Sequence, residues 1–285
     1  MVALPSPSDE PTRRIDRRKV YRETPWLWRA VLRADRAVVA LTGRLEVTGD
    51  VPDELRERPL LLAANHIGNV DALVLMGACH HRRLAPRFVA TGGLFRAAVL
   101  GTVMRRSHHI RTDRGSAGAR EVLSHVVSGF AANGRPVLVY PEGGISTEPG
   151  LWPERGKTGV ARMALASGAP VVPISQWGAH EAMRYGFPAV KRIRDLWIPL
   201  ASWLRATVRR PRLRVHFGAP VDLSGLSIDR AGDARRAHER IMRAITDGLV
   251  PLREDELDAP SHRDPTRVSS GKPSPWRTQR AAPND

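Results

Sequence analysis

A chain of 285 residues, 42% apolar and 26% charged, has ample material for a buried core and is neither collagen-like, coiled-coil nor wholly disordered. Its 45 Lys+Arg against 29 Asp+Glu leave a net charge of +16, carried almost entirely by arginine, and such a surface seeks phosphate on nucleic acid, anionic lipid or a phosphorylated substrate. The single cysteine, Cys79, excludes an intrachain disulfide framework and any cysteine-rich zinc module.

Residues 1–22, rich in Pro, Ser and charge, predict a disordered basic arm without a secretion-signal pattern. The segment 23–45 predicts an amphipathic helix over 26–41, with Leu27, Val31, Val38 and Leu41 on one face and Arg29, Arg33 and Arg36 on another. Strands are expected at 59–63, 87–90, 136–140, 170–175 and 212–217, and helices at 70–80, 117–133, 158–167 and 230–249. Gly134 and Gly168 stand where C-terminal caps do, and Pro173 inside a strand predicts a sheet edge or a bulge. A second basic, apolar segment, 189–210, brackets Trp197, Ile198, Leu200, Trp203 and Leu204 with Lys191, Arg192, Arg194, Arg205, Arg209 and Arg210. With Trp26 and Trp28, four of the seven tryptophans fall in two arginine-flanked segments, the composition of helices lying in a head-group plane; ordinary packing of both on the core is the alternative. No apolar run reaches the ~18 residues of a spanning helix, so a peripheral place on the cytoplasmic face of an anionic membrane is expected. From about Glu254 the chain carries prolines at 260, 265, 273, 275 and 283 among Ser, Arg and Asp, so 254–285 predicts a disordered tail. Strand–helix alternation over 46–253 predicts a single α/β layer domain, with antiparallel strands possible in its sheet and functional groups on loops at strand ends.

Two runs carry chemistry. In Leu60-Leu61-Leu62-Ala63-Ala64-Asn65-His66-Ile67-Gly68-Asn69-Val70-Asp71, a buried-type strand delivers His66 into a Gly/Asn loop and Asp71 falls in the first turn of the next helix. Across such a junction the carboxylate can fold back onto the imidazole, fixing its tautomer and preparing the other ring nitrogen as a general base. In Val137-Leu138-Val139-Tyr140-Pro141-Glu142-Gly143-Gly144-Ile145-Ser146, a strand ends in a Glu-Gly-Gly turn whose backbone N–H groups, around Gly143, are candidates to face a substrate or an oxyanion.

The order and spacing of these pieces resemble the glycerolipid acyltransferase family, specifically the bacterial 1-acylglycerol-3-phosphate acyltransferases, over about Leu60 to Val221. His66-x4-Asp71 looks like the catalytic first block. Gly101 to Arg111, ending His109-Ile110-Arg111, resembles the second, whose terminal Arg binds the acceptor phosphate. Tyr140-Pro141-Glu142-Gly143 resembles the third, Phe-Pro-Glu-Gly-Thr-Arg; Arg155-Gly156 resembles a basic-Gly pair, and Val172-Pro173-Ile174 the fourth block. The resemblance implies a mixed-sheet α/β domain of the glycerolipid acyltransferase type behind an N-terminal amphipathic helical segment. It implies catalysis by His66 and Asp71, substrate binding by Arg111, Glu142, Gly143, Arg155 and Lys157, no metal and no cofactor. Acyl-CoA or acyl carrier protein thioester would be the donor, and a lysophospholipid, foremost 1-acyl-sn-glycerol-3-phosphate, the acceptor in phospholipid biosynthesis. One departure stands out: Gly144-Ile145 replaces the Thr-Arg whose Arg contacts phosphate, and Arg155 or Lys157 can reach the same space.

Other readings are weaker. Five residues, not four, separate Gly150 from Gly156-Lys157-Thr158, against a phosphate loop, and no Gly-x-Ser-x-Gly occurs. His80-His81 and His108-His109 lack metal-site spacing and are expected to be solvated or to face head groups. A different lipid acceptor, or a non-catalytic basic protein binding lipid or nucleic acid, are the alternatives; specific nucleic-acid binding has charge alone in its favour, at 5% aromatic residues.

Overall fold

Apolar runs and helix-period stretches alternate along the chain, and the computed structural model, which describes residues 25–56, 58–112, 123–126, 128, 135–186 and 197–277, turns them into a layered α/β domain. In chain order these are α1 (Trp26–Thr42), β1 (Arg44–Gly49), β2 (Leu61–Ala64), α2 (Asp71–His81), β3 (Arg87–Thr91), α3 (Gly92–Arg96), α4 (Ala98–Arg106) and β4 (Ile110–Thr112). There follow β5 (Val137–Val139), α5 (Gly159–Ser167), β6 (Val171–Trp177), α6 (Ala179–Ala182), α7 (Trp197–Arg209), β7 (Arg212–Phe217) and α8 (Asp233–Leu249). The strands form a seven-stranded sheet in the order β1-β7-β6-β2-β5-β3-β4, and its neighbours are parallel except for β6 and β7.

Period-two alternation sorts the central strands between two cores. Leu60, Leu62 and Ala64 point to one face with Leu138, Val172 and Ile174, against Trp28 and Leu32 of α1, Val74 and Leu75 of α2 and Ala206 of α7. Leu61, Ala63, Val137, Val139 and Val171 point to the other, against Val160 and Ala164 of α5 and Ala237, Ile241 and Ile245 of α8. A strand buried on both faces must be apolar throughout, which is why 60–64 reads as an unbroken run.

Four expectations are corrected. Pro173 does not lie at a sheet edge: β6 is interior and buried along its length. Its carbonyl accepts from Gly218 N–H at 2.9 Å, so its ring nitrogen faces the position just past the last residue of β7, where no ladder bond is lost. Helix α1 buries the stripe Trp28, Leu32, Asp35, Val39 and Thr42, while Val38 and Leu41 stay exposed. Trp28 turns the helix that way, its ring lying 4.3 Å from His109 and 6.3 Å from Phe88. Burial without a hydrogen-bond partner pushes the Asp35 carboxyl up to about 7. His109 is neither solvated nor free to face a head group: it is buried, its Nδ1 accepts from Phe88 N–H at 2.8 Å, and burial pushes it down to about 3.

The fourth correction concerns the C-terminus. Arg253, fully buried, is sandwiched between the rings of Trp152 and Trp177 at 4.3 and 4.1 Å, and the chain beyond it lies back over the domain. Residues 254–277 are therefore not a loose tail. Their Ser, Thr and Trp side chains bond backbone groups of other segments, which composition alone does not disclose. The basic arm 1–22, most of the expected helix 117–133 (residues 123–126 are helical) and the Lys191, Arg192 and Arg194 cluster lie outside the described residues. Among the described residues no helix is long and apolar enough to cross a membrane.

Candidate active site

The parallel strands β2, β5, β3 and β4 all end on one edge of the sheet, where an α/β fold presents ligand-binding loops. Strand β2 ends at Ala64 and hands over to Asn65, whose amide and backbone make three bonds of 2.7–3.0 Å to Gln176 on β6. That lock aims the next residue, His66, out of the sheet edge. Asp71 opens α2 and is completely buried; its Oδ2 accepts from His66 Nδ1 at 2.7 Å and from the N–H groups of Ile67 and Gly68. A carboxylate in the first turn of a helix is favoured there by the helix dipole. The x4 spacing thus closes a turn in which one oxygen gathers three donors.

The His66 ring stacks on Tyr140 at 4.1 Å and 16° between planes, and its side chain remains 20% exposed. With Nδ1 held by Asp71, the opposite nitrogen, Nε2, is the one left for a substrate proton. His66 N–H donates to Glu142 Oε1 at 2.8 Å and His66 carbonyl accepts from Ser146 N–H at 2.7 Å. Every polar group of this residue but Nε2 is therefore committed.

Glu142 departs from its expected role. Oε1 takes the His66 amide and Oε2 the Glu154 amide, 2.8 Å each, so it brackets two backbones and holds His66, with neither oxygen turned to an acceptor. Burial pushes its carboxyl up to about 8 although both amides favour the charged form. Gly143 sits in left-handed backbone at φ +73°, which glycine allows without cost; its N–H closes the turn onto Tyr140 carbonyl at 3.0 Å and is thus no oxyanion donor. A Cβ there would meet Lys157 Cδ and Cε at 3.7 Å and Nζ at 3.8 Å, so the ammonium of Lys157 lies directly over the Glu-Gly-Gly turn. Lys157 N–H donates to Pro141 carbonyl at 2.8 Å and His238 Nε2 donates to Arg155 carbonyl at 2.7 Å, fixing the basic-Gly pair beside the same turn with both cationic side chains exposed. Arg111 is exposed on edge strand β4, three strand steps from β2, or about 14 Å at ~4.8 Å per step.

The structure thus brings His66, Asp71, Glu142, Gly143, Arg155 and Lys157 together and sets Arg111 farther along the same edge. Sequence reasoning missed Asn65–Gln176 and the stacking of Tyr140. It also missed Arg267, which donates to the carbonyls of Ile67 and Ser146. Among the described residues no cluster of His, Cys, Asp and Glu could hold a metal ion.

A family profile described as Acyltransferase matches residues 44–177, the span that contains His66, Asp71, Arg111, Glu142, Gly143, Arg155 and Lys157. The chain is similar to the 1-acyl-sn-glycerol-3-phosphate acyltransferase of Limnanthes alba, 30% identical over 215 residues that make up 73% of this chain and 66% of the relative. It is likewise similar to that of Limnanthes douglasii, 30% identical over 206 residues, 70% of this chain and 63% of the relative. The chain spans just under two thirds of the length of either plant protein. Its fold resembles the crystal structure of the 1-acyl-sn-glycerophosphate acyltransferase PlsC from Thermotoga maritima, with a TM-score of 0.50 at 19% identity over 77% of this chain and 80% of that one. A histidine–carboxylate pair seated at the sheet edge lies within the span the profile matches, and together with the two relatives it supports the glycerolipid acyltransferase family for this chain.

Proposed function

We propose that the protein is an O-acyltransferase that moves a fatty acyl group from a thioester donor to the free hydroxyl of a lysophospholipid, 1-acyl-sn-glycerol-3-phosphate. The observation that carries this reading is the 2.7 Å His66–Asp71 pair, with the ring stacked on Tyr140 and the side chain partly exposed. The acceptor oxygen attacks the thioester carbonyl as its proton passes to Nε2; the C–S bond then breaks and the leaving thiolate recovers that proton. Asp71 stabilises the imidazolium in between. Such general-base action is worth roughly 10²–10⁴ in rate. The thioester, on acyl-CoA or acyl carrier protein, is already activated, so the reaction as written uses no metal or organic cofactor.

Arg111, Lys157 and Arg155 would share the acceptor phosphate, with half-buried Ile145 where the family pattern has an Arg. Arg111→Ala is then expected to raise the acceptor KM roughly 10–150-fold, because a charge-assisted bond to phosphate contributes about 1.5–3 kcal/mol, and to leave kcat nearly unchanged. The deciding assay offers lysophosphatidate against a lysolipid without a phosphomonoester: preference for the latter, or indifference to Arg111→Ala, would overturn the acceptor.

The protein's place would be peripheral, on the cytoplasmic face of an anionic membrane. Trp197, Leu200, Leu204 and Val208 share one exposed face of α7, and exposed Leu41 of α1 lies near it, where Trp203 Nε1 donates to Thr42 Oγ1. Exposed Arg205, Arg209 and Arg33 supply the basic flank. Trp197→Ser combined with Leu204→Ser, two positions outside the core, is expected to weaken sedimentation with anionic vesicles severalfold, and the wild-type attraction to fade with salt. Sedimentation that stays the same in the double variant would refute the surface.

A further inference from the structure

Segment 258–277 buries little apolar surface, yet it lies across the loops that carry the site. Polar staples hold it. Trp152 Nε1 donates to Leu257 carbonyl at its start, Tyr185 N–H to Asp264, and Gly186 N–H to Thr266 Oγ1 at 3.0 Å. Farther on, Ser270 N–H donates to Thr147 carbonyl at 2.9 Å, Ser274 Oγ to Pro153 carbonyl and Trp276 Nε1 to Glu154 carbonyl at 3.0 Å. A cavity of about 350 Å³ remains beneath residues 258–269, beside His180, so tight apolar packing is not what fixes the segment.

Arg267 turns inward from the middle of this segment. One terminal nitrogen donates to Ile67 carbonyl at 2.8 Å, the other to Ser146 carbonyl, and the guanidinium lies 4.9 Å from the Tyr185 ring centre. The two carbonyls are telling. Ile67 follows His66 directly, and Ser146 is the residue whose N–H holds the His66 carbonyl at 2.7 Å. The same neighbourhood grips the loop from its far end, where Asn69 Nδ2 donates to the carbonyls of Arg184 and Tyr185 at 2.9 and 3.0 Å. Burial lowers the proton affinity of Arg267, and Asp71, Tyr185, Asp264 and Glu142 counter that loss. A rigid planar fork can span two carbonyls at fixed separation; a lysine ammonium on a flexible stem cannot reproduce that spacing.

We infer that segment 258–277 is a strap over the catalytic loops and that Arg267 is a positioning residue, holding the His66 loop in register with the 142–147 turn through the carbonyls of Ile67 and Ser146. The strap lies beyond the span matched by the family profile, so this device belongs to the chain's own C-terminal region. The kinetic part rests on the acyl-transfer reading above; the structural part does not.

The test uses the full chain with Arg267→Gln and Arg267→Lys, a long-chain acyl-CoA and 1-acyl-sn-glycerol-3-phosphate. In Arg267→Gln, kcat is expected to fall roughly ten- to a hundredfold while both KM values stay within about twofold, because a misplaced base costs rate without costing binding. Arg267→Lys should recover only part of that loss. Amide hydrogen exchange gives a readout that needs no turnover: Ile67, Gly68 and Ser146 should exchange faster in Arg267→Gln, with Leu61–Ala64 unchanged. Should Arg267→Gln fail to fold, Arg267→Lys carries the same two measurements. Unchanged exchange overturns the positioning role, as does, in an active wild type, an unchanged kcat or a rise confined to KM. A wild type with no acyl transfer would sink the proposed reaction and leave the strap to be decided by exchange.

Discussion

His66→Ala is expected to reduce acyl transfer by about 10⁴-fold, to background, in a protein that still folds. The ring is partly exposed and packs face to face on Tyr140, and the backbone bonds that anchor the loop, from His66 N–H to Glu142 and from Ser146 N–H to the His66 carbonyl, survive the truncation. Removing the side chain removes the base, the Tyr140 stack and one of the three donors to buried Asp71, which keeps the Ile67 and Gly68 amides; the stability cost should stay within about 1–3 kcal/mol. Thiol release from acyl-CoA in the presence of lysophosphatidate, read beside a thermal melt, checks both halves. Turnover near that of the wild type in a folded variant would refute the mechanism.

Asp71→Asn should cost about 10³–10⁴-fold in kcat, by a different route. The carboxylate oxygen that serves His66 also accepts from the amides of Ile67 and Gly68. An asparagine carbonyl in the place of that oxygen can keep all three bonds, but it carries no negative charge. The imidazolium that forms as the acceptor proton arrives then has no counter-charge, so the base is weakened with the loop intact. Asp71→Ala differs in kind, since it leaves two buried amides without an acceptor, and is expected to destabilise the fold by about 1–3 kcal/mol for each. Asp71→Asn turnover within tenfold of wild type, at an unchanged melting temperature, would remove Asp71 from the mechanism.

Much of the sheet was legible because its signal is local. The apolar runs at 60–64 and 137–139 needed burial on both faces, and the structure buries both. Short β1 and β4, and the helices α3 and α4, went unread. Strand β4 has three residues and β1 alternates exposed and half-buried positions, so neither contrasts with a loop in composition. Helix α1 was read with the right length and the wrong face. Periodicity shows that a helix has a stripe, whereas Trp28 inserting toward His109 and Phe88 decides which stripe goes in.

For the site, residues 65–71 by themselves determined the pairing of His66 with Asp71, because a strand, a Gly/Asn turn and a helix start bring positions five apart into hydrogen-bond reach. The tertiary structure decided what holds that pair. Glu142 reaches the His66 amide across 76 residues, Asn65 locks to Gln176 across 111, and Arg267 reaches Ile67 across 200. These partners are chosen by which backbone donors and acceptors the finished sheet leaves unpaired, and burial then makes each such group costly to leave open. A glutamate in a Gly-Gly turn and an arginine in a Pro/Ser-rich segment carry no sequence mark of the carbonyl or amide they will find. Spacing sets local pairs; long-range satisfaction of the backbone is settled only once the layers have packed.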